Sequence, residues 1–249
     1  MKRLLGGTRA VAEALRGRTG RSLAVVYVEQ GNPRARQAVE ADARGAGVPL
    51  EERPREELDR LAKGMRHQGV LAVGGEYPYV DLPRILEEAV HPPLLVALDE
   101  VSDPQNFGAI VRSAVAFGVD GVLTLKRRAA PVTPAVVRAS AGATEHARIA
   151  RVTNLARTLR ALRDDPGLEV VGLDASGDRA LESLDAAPAG RVLVVGSEGK
   201  GLRRLVRESC DVVVRIPLAG PIASLNASVA AAVAMYEAAR ARRREGESP

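Results

Sequence analysis

One cysteine, no tryptophan, two phenylalanines and four tyrosines occur among the 249 residues of this chain. A lone Cys210 excludes an intramolecular disulfide. With only His67, His91 and His146 beside it, the chain also lacks a convincing set of zinc ligands, so no metal is expected. Cys210 reads instead as a small buried residue between a helix and the strand that follows. No apolar run approaches the roughly 18 uninterrupted residues of a membrane span, and no long apolar stretch follows the basic start as in a secretion signal. A soluble, cytoplasmic protein with no membrane partner is the expectation.

What is present is aliphatic and basic. The chain is 46% hydrophobic, with aromatics at only 2%, so the core must be built from Ala, Val and Leu. Such a core still gains about 25 cal/mol per Å² of apolar surface buried. The net charge is +5, and residues 1–80 hold 14 Lys/Arg against 10 Asp/Glu. Six bases lie within residues 1–21: Lys2, Arg3, Arg9, Arg16, Arg18 and Arg21. A polyanionic partner fits this balance, and so does an Arg-rich composition with no partner at all.

Periodicity divides the chain in two. Helices are predicted over 8–16 (behind Thr8 as N-cap), 33–43 and 55–62, with strands at 22–28, 48–50 and 69–74. This small α/β unit, residues 1–75, is followed by Gly74-Gly75-Glu76-Tyr77-Pro78, which reads as a linker. A loop inside one larger domain is the alternative. Residues 76–91 are taken as linker and lead-in, and 92–249 as a second domain. There, apolar strands at 93–99, 121–125, 147–152, 168–173, 191–196 and 211–216 alternate with helices at 106–117, 134–141, 154–163, 202–208 and 224–241. Strands this apolar, separated by helices, predict a mostly parallel sheet covered on both faces. Its site belongs in the loops at the strands' carboxyl ends.

Three of those loops carry polar groups beside glycine. The first, DEVSDPQNFGAIVRSA (99–114), sets Asn106 near a helix start and Arg112 farther along. The second, VGSEGKGL (195–202), has Gly196, Gly199 and Gly201 around Ser197, Glu198 and Lys200. It is not a Walker A loop, since Lys200 is followed by Gly201, and its spacing is not G-x-G-x-x-G. The third, IPLAGPIASLNASVA (216–230), makes a Pro/Gly excursion before Ser224-Leu225-Asn226 opens the last helix. Neither Ser197 nor Ser224 lies in G-x-S-x-G, which argues against a serine hydrolase. Singly, each loop could be a helix cap or a ligand-free turn; polar groups on three strand ends together are the stronger signal.

Together, DPQNFGAIVRSA, VVGSEGKGL and IPLAGPIASLNASVA resemble the three signature motifs of the SpoU (TrmH-type) family of SPOUT methyltransferases, in order across residues 94–240. LLGGTRAVAEAL and HQGVLAV (67–73) resemble, more briefly, the ribosomal-protein-like RNA-binding domain of bacterial 23S rRNA guanosine 2′-O-methyltransferases. The resemblance implies a deep trefoil knot in the C-terminal domain, which general rules of chain topology would not suggest. It also implies a homodimer, S-adenosylmethionine as cofactor, and methyl transfer to a ribose 2′-OH, most naturally on 23S rRNA. A tRNA or other rRNA target, or a non-catalytic RNA-binding assembly factor, are the alternatives. By the same resemblance Arg112 is the central catalytic residue, oriented by Asn106, with Glu198, Ser224 and Asn226 completing the site. Glu198 is expected to order Asn226, while Gly196, Gly201, Ile216 and Leu225 hold the cofactor through their backbone.

Overall fold

The computed structural model describes residues 3–90, 92–185 and 187–246; Lys2 and His91 lie outside them. In chain order the first elements are β1 (Arg3–Gly6), α1 (Thr8–Arg16), β2 (Leu23–Glu29), α2 (Pro33–Gln37), α3 (Glu40–Ala46), β3 (Leu50–Arg53), α4 (Arg55–Ala62) and β4 (Val70–Gly74). Then come α5 (Leu82–Glu87), β5 (Leu94–Leu98), α6 (Pro104–Ala116), β6 (Gly121–Leu125), α7 (Pro134–Ala139), β7 (Ile149–Val152), α8 (Leu155–Asp164) and β8 (Glu169–Leu173). The chain continues through β9 (Arg179–Ala180), β10 (Arg191–Val195), α9 (Arg204–Arg207), β11 (Val212–Arg215) and α10 (Ala227–Gly246).

Two compact units result. The first is Met1–Pro78 together with Val132–His146, and the second is Tyr79–Pro131 with Ala147–Pro249. The first unit has a mixed sheet in the order β1-β4-β2-β3, in which β2 and β3 are parallel and the other pairs antiparallel. Leu5, Val11, Leu15, Val26, Val28 and Val70 form its aliphatic core. Here α1 begins at Thr8 itself, with Gly7 (φ 97°) as the cap and no side-chain cap bond, in place of the expected Thr8 cap. The expected helix over 33–43 is broken: Val39 leaves helical geometry at φ −132° and buries its side chain in the core.

Residues 132–146 had been placed with the second domain, yet they pack within the first unit. Glu145, fully buried, accepts bonds from Arg3 and the Thr19 hydroxyl and is also bonded by the Thr144 hydroxyl at 3.1 Å. The buried Tyr77 hydroxyl donates to the Thr144 carbonyl at 2.5 Å, and burial pushes its pKa well above the ordinary phenol value. Arg3 lies over the Tyr77 ring, 5.3 Å from its centre.

The second unit is built on a seven-stranded sheet in the order β7-β6-β5-β10-β8-β11-β9, every pair of which is parallel. The α/β expectation of a parallel sheet is thus borne out. All residues of β5, β6 and β10 are buried, as a sheet covered on both faces requires. Residues 79–90, read from the sequence as linker and lead-in, carry α5, whose fully buried Ile85 packs against Gly121 at the start of β6. The sheet changes direction at β5: β6 and β7 extend to one side, β10 and its neighbours to the other. Ligand clefts form outside such a switch point.

Candidate active site

Asp103 ends the loop after β5 and caps α6, accepting from Gln105 N at 3.3 Å and Asn106 N at 2.9 Å, with Pro104 as the first helical residue. Asn106 therefore sits in the first turn, 7% exposed, with its amide aimed at two other loops. Its Nδ2 donates to Glu198 Oε2 at 3.0 Å, and its Oδ1 accepts from Asn226 Nδ2 at 3.0 Å. Asn226 Oδ1 in turn accepts from Ser228 N at 2.9 Å and Ser228 Oγ at 2.6 Å. An amide can donate and accept at once, so this residue type can join a carboxylate to a second amide. The three motif loops are thereby linked through Asn106.

Arg112 is placed otherwise than the sequence reading had it. It is exposed on α6 and forms no hydrogen bond or ion pair among the described residues, with Asn106 or any other. The reason is helical geometry: six residues rotate by roughly 240° beyond a full turn, so Asn106 turns inward and Arg112 outward. Glu198 likewise reaches Asn226 through Asn106 and not directly.

The glycine loop after β10 owes its shape to close backbone approach. A Cβ on Gly196 would lie 2.3 Å from the Gly201 carbonyl carbon and 2.7 Å from Leu202 N. Gly201, at φ +62°, donates its N–H to the Ser197 carbonyl at 3.0 Å and closes the turn. Fully buried Asp99 anchors the far side, accepting from Arg203 N at 2.9 Å and Arg203 Nε at 2.7 Å. That bond holds the guanidinium above its usual pKa.

A cleft of about 850 Å³ opens here, lined by residues 173–175, 195–201, 214–218 and 222–227 with Ala230. All four backbone positions named from the sequence line it: Gly196, Gly201, Ile216 and Leu225. So do Glu198, Ser224 and Asn226, whereas Asn106 and Arg112 lie outside its lining. The sequence reading missed the fourth strand end, after β8. There Asp174 accepts from Ser176 N at 2.9 Å and Ser176 Oγ at 2.6 Å. Burial pushes its pKa up, but the Ser176 and Leu202 donors and Arg207 outweigh it, leaving the carboxyl below the ordinary range. Buried strand 168–173 followed by Asp-Ala-Ser-Gly was the available signal.

The SpoU rRNA Methylase family model matches residues 93–236, more than half of the chain. The chain belongs to the SpoU family. A second model, RNA 2′-O ribose methyltransferase substrate binding, matches residues 4–80. An uncharacterized tRNA/rRNA methyltransferase of Mycolicibacterium vanbaalenii is 49% identical over 241 residues, 95% of this chain and 76% of its own length. The SpoU methyltransferase AviRb of Streptomyces viridochromogenes superposes with a TM-score of 0.80 at 27% identity, over 98% of this chain and 91% of that one. AviRb in complex with AdoMet matches at a TM-score of 0.78 and 28% identity, over 98% and 91% of the two chains. This SpoU protein is an RNA methyltransferase, and the cofactor held by its solved relative AviRb is S-adenosylmethionine.

The cleft fits that cofactor on its own terms. Its volume is that of a site for a drug-sized molecule. The backbone at Gly196 and Gly201 is bare where any side chain would collide. Gly196→Ala is expected to weaken S-adenosylmethionine binding by about tenfold or more through displacement of the 196–202 turn. Calorimetry measures this, and wild-type affinity in the variant would contradict the assignment.

Proposed function

We propose that this SpoU methyltransferase transfers the methyl group of S-adenosylmethionine to a ribose 2′-OH of RNA, a guanosine of 23S rRNA being the favoured target. The observation that carries the reading is the Glu198–Asn106–Asn226 chain at the rim of the cleft. The match of residues 4–80 to a 2′-O-ribose substrate-binding model supports ribose over base.

Bound S-adenosylmethionine supplies an activated methyl on a sulfonium. The protein has to align the 2′-oxygen with it and help the hydroxyl lose its proton. Backbone groups of Gly196, Gly201, Ile216 and Leu225 hold the adenosine part. Ser224 and Asn226 hold ribose and phosphate oxygens, with Asn106 fixing the positions of Asn226 and Glu198. Arg112, a permanent cation, cannot serve as a base at neutral pH. It stabilises the developing alkoxide and the neighbouring phosphate, which assists loss of the hydroxyl proton to solvent. The trefoil knot of the family belongs to the same reading, with the 195–202 and 216–227 loops as its strands.

A homodimer is part of the proposal. Val229, Val233 and Tyr236 are exposed at helical spacing on α10, and Val115 is exposed one turn beyond Arg112 on α6. A second copy covering this face would bring its own groups to Arg112. Val233→Asp is expected to yield a monomer by light scattering, and a variant that stays dimeric would refute this face as the interface.

Incubation with deproteinised 23S rRNA and with tRNA, followed by nuclease digestion and mass spectrometry, tests the chemistry. The expected product is 2′-O-methylguanosine from 23S rRNA. A base-methylated nucleoside overturns the ribose assignment, product from tRNA alone overturns the target, and RNA binding with no product supports an assembly factor.

A further inference from the structure

The proposed chemistry leaves one charged cluster of the second unit unused. Lys126, Arg127 and Arg128 follow β6 directly, and all three are exposed. The parallel pairing of β6 with β5 and β7 places this loop at the same sheet edge as the loop that leads into α6. It is well anchored there. Lys126 N donates to the Val152 carbonyl at 2.9 Å, and Ala130 N to the Val101 carbonyl at 3.1 Å. Arg128, in left-handed geometry at φ 62°, lies 3.4 Å from Glu100 Oε1.

The charges at this edge do not cancel. Glu100 is shared between Arg128 and Arg203, the latter at 3.1 Å, and Asp99 is already taken by Arg203. Two carboxylates thus face two guanidiniums, and Lys126 and Arg127 form no ion pair among the described residues. On the neighbouring strand end, Arg157 stands exposed in the first turn of α8, which has no acidic residue there. A cation at a helix N-terminus opposes the helix dipole. Like charges held together on a fixed loop, with another against a dipole, are locally unfavourable. Such local exceptions are expected at functional sites.

We propose that Lys126 and Arg127, with Arg157 beside them, form a phosphate clamp for the RNA strand that enters the active site. The inference rests on the RNA-modifying reading above and adds to it the residues that seat the substrate. Cations on a loop fixed to the sheet bind backbone phosphates without reading bases, and so set the strand's register. Arg128 is the exception within the loop, because its bond to Glu100 makes it part of the scaffold.

The full chain carrying K126A/R127A tests the clamp, with deproteinised 23S rRNA as the probe across a salt series. Affinity should fall roughly tenfold at low salt, and the slope of log K against log salt should shrink by about 1.4, the share of two phosphate contacts on a single strand. Binding of S-adenosylmethionine by calorimetry should be unchanged. Wild-type affinity and slope would overturn the clamp and turn attention to an acidic protein surface as the occupant. Methyl transfer to a base, with the salt slope reduced as expected, would overturn the ribose reading alone.

Discussion

Arg112→Ala is expected to lower methyl transfer to RNA by about 10²–10³-fold, the usual cost of removing one charged group that stabilises a developing anion. The side chain is exposed, forms no bond among the described residues and lies outside the cleft lining. Its loss should therefore leave both the melting temperature and S-adenosylmethionine affinity at wild-type levels. That separation distinguishes a chemical role from a structural one. Arg112→Lys keeps the charge but loses the planar fork, and should recover part of the rate. A variant with alanine at 112 and undiminished turnover would remove Arg112 from the mechanism.

Arg3→Ala should cost about 3–5 kcal/mol of stability, because it strands a buried carboxylate. The side chains of Arg3 and Glu145 are 7% and 0% exposed, so neither charge has water to fall back on. The Thr19 and Thr144 hydroxyls still reach Glu145 but bring no positive charge. Adding Glu145→Gln to the alanine variant should restore part of the loss, since a neutral amide replaces the stranded anion. Urea unfolding gives the reading: the midpoint should fall with little change in slope. A shift below about 1 kcal/mol would mean that water or a rearranged neighbour replaces Arg3.

The second unit was legible in the sequence because its strands are continuous apolar runs, as in residues 93–99 and 191–196, separated by helices of clear periodicity. The motif loops were legible for the same reason: they stand where such strands stop. Contacts across the fold were not. The family resemblance paired Asn106 with Arg112, whereas Asn106 bonds residues 92 and 120 positions away. Asp174 escaped notice because its loop has the composition of an ordinary turn, and one of the donors that lower its pKa, Leu202, is brought in from another strand end. Val39 ends a helix that its neighbours would continue, since burial of a β-branched side chain outweighs local propensity.

The docking of residues 132–146 has a consequence for how such a protein can be assembled from parts. The chain passes between the two units at 78–79, 131–132 and 146–147, so the first unit is not a bead on a single string. Excision at residue 78 would leave an orphan segment in the β6–β7 connection, with Glu145 and Val137 stripped of the residues that bury them. A chimera that exchanges the first unit must therefore carry residues 132–146 along with residues 1–78.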